Sequence, residues 1–198
     1  KETGTNMLWR NLGGLKFEDV AGDYGLDDRG WSLAATWGDI NDDGWPDLVL
    51  GNDFGDKKIY MSDGDGGFDE VAEDLGIVDR GFGMSAALGD TDNDGDFDLY
   101  FSNMYSNTNW IFTQHELLPV PWFLGWMRTM ILGNLGGMTM GNAIFTNERG
   151  TFRNTTLRAG VGYGQWAWSS EFLDFDADGD LDIYCVNGFY SGADAEDL

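Results

Sequence analysis

Several things are scarce in this chain, and each scarcity excludes something. There is one cysteine, Cys185, so no disulfide can form within the chain, and its apolar surroundings (Ile-Tyr-Cys-Val) read as a buried strand residue, not a reactive thiol. There are only 11 Lys and Arg against 35 Asp and Glu, a formal net charge of −24. With no basic stripe to neutralise phosphates, nucleic acid is excluded as a direct partner, and anionic membrane surfaces are disfavoured for the same reason. No apolar run reaches the roughly 20 residues that cross a bilayer as a helix. The sole histidine, His115, lies between Gln114 and Glu116 and reads as a solvated polar residue. No Gly-x-Ser-x-Gly elbow, phosphate-binding loop or zinc signature is present, so the chain is read as a non-enzyme. No signal peptide is visible at Lys1, which fits a mature chain, a cytoplasmic protein or a fragment equally well.

What is abundant points to a packed β protein. Aromatic residues make up 15% of the chain, with nine Trp and thirteen Phe to fill a core. Thirty Gly against three Pro imply many tight turns between short strands.

The chain repeats itself. An aromatic-containing run at Trp9, Tyr60 or Phe145 precedes a second run opening with Phe17, Phe68 or Phe152. A short segment then ends in Gly25, Gly76 or Gly160 and is followed by Trp31, Phe82 or Trp166. An acidic loop begins at Asp39, Asp90 or Asp174, and an apolar run leads from it to Asn52, Asn103 or Asn187. The first two loops are 51 residues apart and the last two are 84 apart, which requires an insertion between Asn103 and Phe145. Blade units are accordingly placed at about 7–55, 56–105 and 142–190, with the insertion at about 106–141. Four strand-length runs in a unit of some 50 residues match a β-propeller blade better than a solenoid coil. The expected fold is all-β: three four-stranded blades of a β-propeller, with a partly helical insertion between blades 2 and 3. Three units cannot close a ring of roughly four to eight blades, so a longer polypeptide or other chains would complete it.

Each loop has the donors of a calcium site. Loop 1 offers Asp39, Asn41, Asp43 and Asp47; loop 2 offers Asp90, Asp92, Asp94 and Asp98; loop 3 offers Asp174, Asp176, Asp178 and Asp182. These stand at positions 1, 3, 5 and 9, with Gly at position 6 to turn the chain sharply. The backbone carbonyls of Trp45, Asp96 and Asp180, at position 7, would complete the sets. Ca²⁺ takes six to eight oxygen ligands at flexible geometry; Mg²⁺ wants a smaller octahedral site, and no loop holds the His or Cys that Zn²⁺ or Cu²⁺ favours. Because the loop leads into a strand and not a helix, it is not an EF-hand. Asp and Gly are ordinary turn formers, but three copies at matched positions exceed what turn preference explains. The twelve ligand side chains hold eleven negative charges, and three bound Ca²⁺ ions would bring the total from −24 to −18. Structural calcium is the first expectation, and calcium bridging to an outside ligand the second.

The string from Gly38 to Asn52, with its two counterparts, resembles the FG-GAP/VCBS repeat of integrin α subunits and many bacterial surface proteins. The Phe17-Glu-Asp-Val and Ala21-Gly-Asp-Tyr-Gly-Leu segments are most similar to the cartilage-acidic-protein (ASPIC/UnbV-like) branch. The resemblance covers roughly 7–103 and 142–190. It implies a calcium-loaded propeller of about seven blades in an extracellular, periplasmic or surface protein, acting in adhesion or assembly, without catalytic residues. Calcium-dependent carbohydrate or matrix binding is one alternative, for which exposed Trp166 and Trp168 on one face would speak. A propeller glycosidase or lyase is the other.

Within the insertion, residues 117–132 are mostly apolar and Arg128 is their one charged residue. Sixteen residues are too few to span, so the segment reads as a helix starting near Pro121. It either docks on another protein chain or folds onto its own propeller, with interfacial membrane contact as the remaining alternative. Under the docking reading, deleting 117–132 abolishes association with the partner chain and leaves calcium binding intact. Co-sedimentation and calcium titration of the deletion variant check this, and unchanged assembly rejects it.

Overall fold

The computed structural model describes residues 4–105 and 141–188. These form twelve strands and little helix. Strands β1 (Trp9–Gly13) and β2 (Lys16–Asp19) make a hairpin. β3 (Ser32–Gly38), β4 (Asp47–Asn52), β5 (Lys58–Ser62) and β6 (Phe68–Glu70) form a four-stranded antiparallel sheet in that order. A second such sheet runs β7 (Gly83–Gly89), β8 (Asp98–Asn103), β9 (Ala143–Asn147) and β10 (Phe152–Asn154). The last pair is β11 (Ala167–Leu173) with β12 (Asp182–Asn187). A 3-10 turn at Ala21–Asp23 and one helical turn, α1 (Thr156–Ala159), occupy the small segments before β3 and β11. A nearly all-β chain of successive antiparallel sheets is consistent with a propeller-like fold.

Two expectations change with the strand order. The sheets do not coincide with the repeated units: each four-stranded sheet takes its first two strands from one unit and its last two from the next. The cause is visible in the pairing, because β4 hydrogen-bonds onward to β5 and β8 to β9 across the unit boundary. For the same reason the insertion does not separate two sheets. It connects β8 to β9, which are neighbours within one sheet. The apolar segment 117–132 and His115 lie outside the described residues.

Burial follows strand position. β4 and β8 are buried along their whole length, because each has a strand on either side and a sheet on either face. Their side chains alternate between faces, as strand geometry requires. Val49 and Ile59 point into a core shared with Leu99, Phe101, Phe145 and Phe152. Leu48, Leu50 and Tyr60 point the other way, toward Leu8 and Tyr24 of the first hairpin region. Tyr100 and Ile144 turn from the second sheet toward Phe172 and Ile183 of the last pair. The four sheets therefore stack in chain order with a core between each neighbouring two. Cys185, expected to be buried, is only half-buried on β12, with Sγ 3.5 Å from the Tyr100 hydroxyl.

Close stacking depends on small residues at the strand ends. A Cβ on Gly89 would meet Phe172 Cδ2 at 2.6 Å and Leu181 Cδ1 at 3.0 Å; one on Gly38 would meet Leu88 Cδ1 at 2.6 Å. The next sheet thus rests on glycine at the root of each of the first two loops. A buried cation supplies a second tie. Lys57, 1% exposed, donates through Nζ to the carbonyl oxygens of Gly81 (2.6 Å) and Asn52 (3.4 Å), joining the end of β4 to the approach of β7. Burial pushes its pKa down, opposed by the charges of Asp79, Asp56 and Asp53.

Substituting Gly89 by Val forces Phe172 and Leu181 off the root of loop 2. The expected destabilisation is about 1–3 kcal/mol, the usual range for overpacking, read from the midpoint of urea unfolding.

Candidate metal centres

Each acidic loop closes a hairpin of identical register. The pairs at its base are Gly38 with Asp47, Gly89 with Asp98, and Leu173 with Asp182. Inside the loop, the Asp at position 1 accepts two backbone N–H groups through its two oxygens. Asp39 accepts from Asp43 (3.0 Å) and Gly44 (2.7 Å), Asp90 from Asp94 (3.1 Å) and Gly95 (3.0 Å), and Asp174 from Asp178 (3.1 Å) and Gly179 (3.1 Å). The Asp at position 5 accepts the amide two residues on: Trp45 to Asp43 at 2.8 Å, Asp96 to Asp94 at 3.0 Å, Asp180 to Asp178 at 3.0 Å. These are Asx turns, which fold the loop locally without help from the rest of the chain.

Two backbone positions complete the turn. Gly44, Gly95 and Gly179, at position 6, have φ of 89°, 99° and 97°. This is the left-handed region, which glycine enters without the steric cost other residues carry. Position 4 is also left-handed, at Asp42 (58°), Asn93 (60°) and Ala177 (60°). Asp and Asn tolerate that conformation, whereas Ala177 adopts it at a cost of roughly 1 kcal/mol. Asp42 and Asn93, each between two ligand positions, are the signal in the sequence that marks position 4, and Ala177 lacks it.

The Asp at position 9 is a different kind of residue. Asp47 is 0% exposed and Asp98 1%. Asp47 Oδ2 accepts the amide of Ile40 (2.9 Å), and its Oδ1 accepts that of Ser62 (2.9 Å) on β5. Asp98 repeats this: Oδ2 accepts the amide and hydroxyl of Thr91, and Oδ1 accepts the amide of Asn147 (2.8 Å) on β9. Asp182 keeps only the first half, accepting Phe175 N–H at 3.2 Å. These carboxylates fasten loop to sheet, so each oxygen offers a metal only the electron pairs left after its amide contacts.

The side chains cluster differently in the three loops. In loop 2, carboxylate oxygens of Asp90, Asp92 and Asp94 lie within 4.8 Å of one another; in loop 3, those of Asp174, Asp176 and Asp182 do. Asp98 in loop 2 and Asp178 in loop 3 stand outside these groups of three. Loop 1 has an amide in the middle, and Asn41 Nδ2 donates to Asp43 Oδ2 at 2.9 Å. The side chains of Trp45, Asp96 and Asp180 were never the expected donors; only their carbonyls were. Trp45 is half exposed, with its indole against the Gly64 turn. The donor set is all hard oxygen, which fits a calcium ion.

Crowded carboxylates shift one another. Asp92 has its pKa raised by partial desolvation and by the charges of Asp94, Asp98 and Asp90. Burial raises that of Asp47 as well, against the lowering effect of the Ser62 and Ile40 amides. A carboxyl group whose pKa is raised on folding favours the folded state below its unfolded pKa, and that contribution is lost as pH rises through the folded value. The metal-free Asp92→Asn variant should therefore be more stable than the parent at pH 7. The difference should shrink as pH falls toward the ordinary carboxylate value of 3.8, as thermal melts in chelator across that range would record.

The end of the sheets opposite the loops carries an aromatic row. Trp31 and Phe54 rings meet edge to face at 5.4 Å, and Phe54 and Phe82 at 5.1 Å. Tyr105 and Tyr163 form a similar pair at 5.0 Å. Trp31 is 58% exposed and Trp168 46%, while Trp166 is half-buried.

Residues 39–101 match the model of the FG-GAP-like repeat. The chain is 31% identical over 113 residues to cartilage acidic protein 1 of Xenopus tropicalis, a match covering 52% of this chain and 16% of that protein. Against cartilage acidic protein 1 of Homo sapiens it is 32% identical over 113 residues, with the same two shares. The matched region is thus a small part of either relative. Residues 39–101 are thus similar to the FG-GAP-like repeat, and about half of the chain is similar to a small part of cartilage acidic protein 1.

Proposed function

We propose that the chain is a calcium-stabilised β-propeller module for protein–protein assembly or adhesion, working outside the cytoplasm. The observation that carries the calcium reading is the threefold recurrence of one loop geometry, with oxygen donors at positions 1, 3, 5 and 9 and the same two left-handed residues. Side chains from Asp39, Asn41, Asp43 and Asp47 would hold the first ion, and Asp90, Asp92, Asp94 and Asp98 the second. Asp174, Asp176, Asp178 and Asp182 would hold the third, with the position-7 carbonyls of Trp45, Asp96 and Asp180 completing the sets. A bound Ca²⁺ supplies positive charge where three or four acidic groups otherwise repel, and so stabilises the hairpin that each loop closes.

The stacked sheets support four-stranded blades, and a ring would need more of them than this chain carries. The assembly role rests on the repeat family and on the acidic, sheet-built surface; the apolar segment 117–132 is the proposed contact with another chain. No helix among the described residues is long and apolar enough to cross a membrane. We assign the chain no catalytic role, since the clustered carboxylates are committed to loop amides and to the proposed ions. The Trp31–Phe54–Phe82 row, with Trp31 and Phe54 exposed, favours a second reading, in which that end of the sheets stacks against the faces of a carbohydrate.

Calorimetric titration should show three Ca²⁺ per chain and a rise in melting temperature that chelator reverses. Asp92→Ala and Asp176→Ala should each remove one ion. Fewer than three ions in the parent, or no thermal stabilisation, would count against the calcium reading.

A further inference from the structure

Loops 2 and 3 are joined to each other. Asn93 Nδ2 donates to Asp180 Oδ1 at 2.7 Å, linking position 4 of one loop to position 7 of the next across 87 residues of chain. The bond is charge-assisted and therefore stronger than one between neutral groups. Both partners occupy sensitive places. Asn93 is the left-handed residue between Asp92 and Asp94, so its orientation follows from how those two side chains are held. Asp180 donates its own amide to Asp178 Oδ1, and its carbonyl is the backbone donor expected in loop 3.

The first two loops provide an internal control, because they meet in the same way. Phe97, at position 8 of loop 2, packs on Gly38 at the root of loop 1, as Leu181, at position 8 of loop 3, packs on Gly89 at the root of loop 2. The corresponding side chains are Asp42 at position 4 of loop 1 and Asp96 at position 7 of loop 2. Two carboxylates at neutral pH have no proton to share, so no equivalent hydrogen bond can form. The packing is common to both loop pairs, and the bond belongs to the second.

We propose that the Asn93–Asp180 hydrogen bond couples the second and third calcium loops, so that ordering one raises the calcium affinity of the other. This rests on the calcium reading above. Asn93 and Asp180 act as positioning residues: neither side chain is a proposed ligand. When loop 2 is ordered, Asn93 is fixed and holds Asp180, which spares loop 3 part of the ordering cost of presenting its backbone donor. Coupling between two binding sites is reciprocal, so loop 3 returns the effect. Loops 1 and 2 lack the bond and should bind independently of each other.

The test follows the backbone amide of Gly179 by NMR during calcium titration of the whole chain, which reports occupancy of loop 3 alone. Disabling loop 2 with Asp92→Ala should weaken loop 3 by about fivefold, the low end of measured couplings, since both side chains are exposed. In an Asn93→Gly background, which keeps the left-handed backbone and removes the amide, Asp92→Ala should leave loop 3 unchanged. Asp180→Ala, which keeps the backbone carbonyl, should abolish the coupling in the same way if Asn93→Gly folds poorly. Asp42→Asn should create coupling between loops 1 and 2, seen at the Gly95 amide when Asn41 is replaced by Ala. If Gly179 titrates with the same affinity with and without Asp92, the coupling is overturned while the calcium reading stands. If Asp92→Ala weakens loop 3 equally in the Asn93→Gly background, the hydrogen bond is not its carrier. A Gly179 amide indifferent to calcium in the parent overturns the calcium reading and the coupling together.

Discussion

The buried carboxylate at the root of each of the first two loops is the constraint on which the remaining geometry rests. Asp47 and Asp98 are withdrawn from solvent, and a charged carboxylate is tolerated there only because backbone amides on both sides satisfy it. One oxygen holds the second residue of the loop and the other holds the strand beyond, β5 or β9. The same side chain therefore sets where the loop starts its turn and how the third strand lies against the second. Removing it would leave two backbone amides unpaired, one of them buried, so its loss would be felt in the sheet before it was felt at any ion.

From that anchor the layers follow. The loop leaves and re-enters at one fixed register, glycine at its root admits the neighbouring sheet, and position 8 of the next loop covers that glycine. Asp182 shows what happens when part of this is missing. With no further strand beside β12 among the described residues, its second oxygen has no strand amide, and β12 is more exposed than β4 or β8. The fold's polar and apolar terms are thus not separable: burial of Val49 and Leu99 depends on strands that Asp47 and Asp98 pin.

Much of this was legible in the sequence because it recurs. A period, a nine-residue acidic pattern and an apolar run after it are one-dimensional facts, and they located the loops, the strands behind them and the all-β class. The phase of the sheets was not legible. Which strand β4 pairs with depends on contacts between Leu48, Val49, Leu50 and the Lys58–Tyr60 stretch, and a repeating pattern looks the same wherever it is cut. The placement of the insertion inside a sheet was missed for that reason. The double duty of position 9 was hidden too, since an aspartate in a ligand pattern gives no sign that its oxygens are also bound to distant amides. Lys57 could not be read either: it stands where Asn6 and Asn142 stand in the other units, and only the structure shows its ammonium between two carbonyls.

The half-step between repeat and sheet bears on how such a chain can grow. If a genetic duplication copies one unit, the copy brings two successive strand pairs that belong to different sheets. Its first pair completes the sheet opened by the unit before it, and its second pair opens one for the unit after. An added copy is therefore sewn into both neighbours by backbone hydrogen bonds, and no strand pair along the array lacks the pair that completes its sheet. A unit cut to match a whole sheet would instead meet its neighbours only through side-chain packing. Offset copies make length a variable that recombination can change without leaving a half-built sheet, and they make any single unit a poor candidate for folding alone.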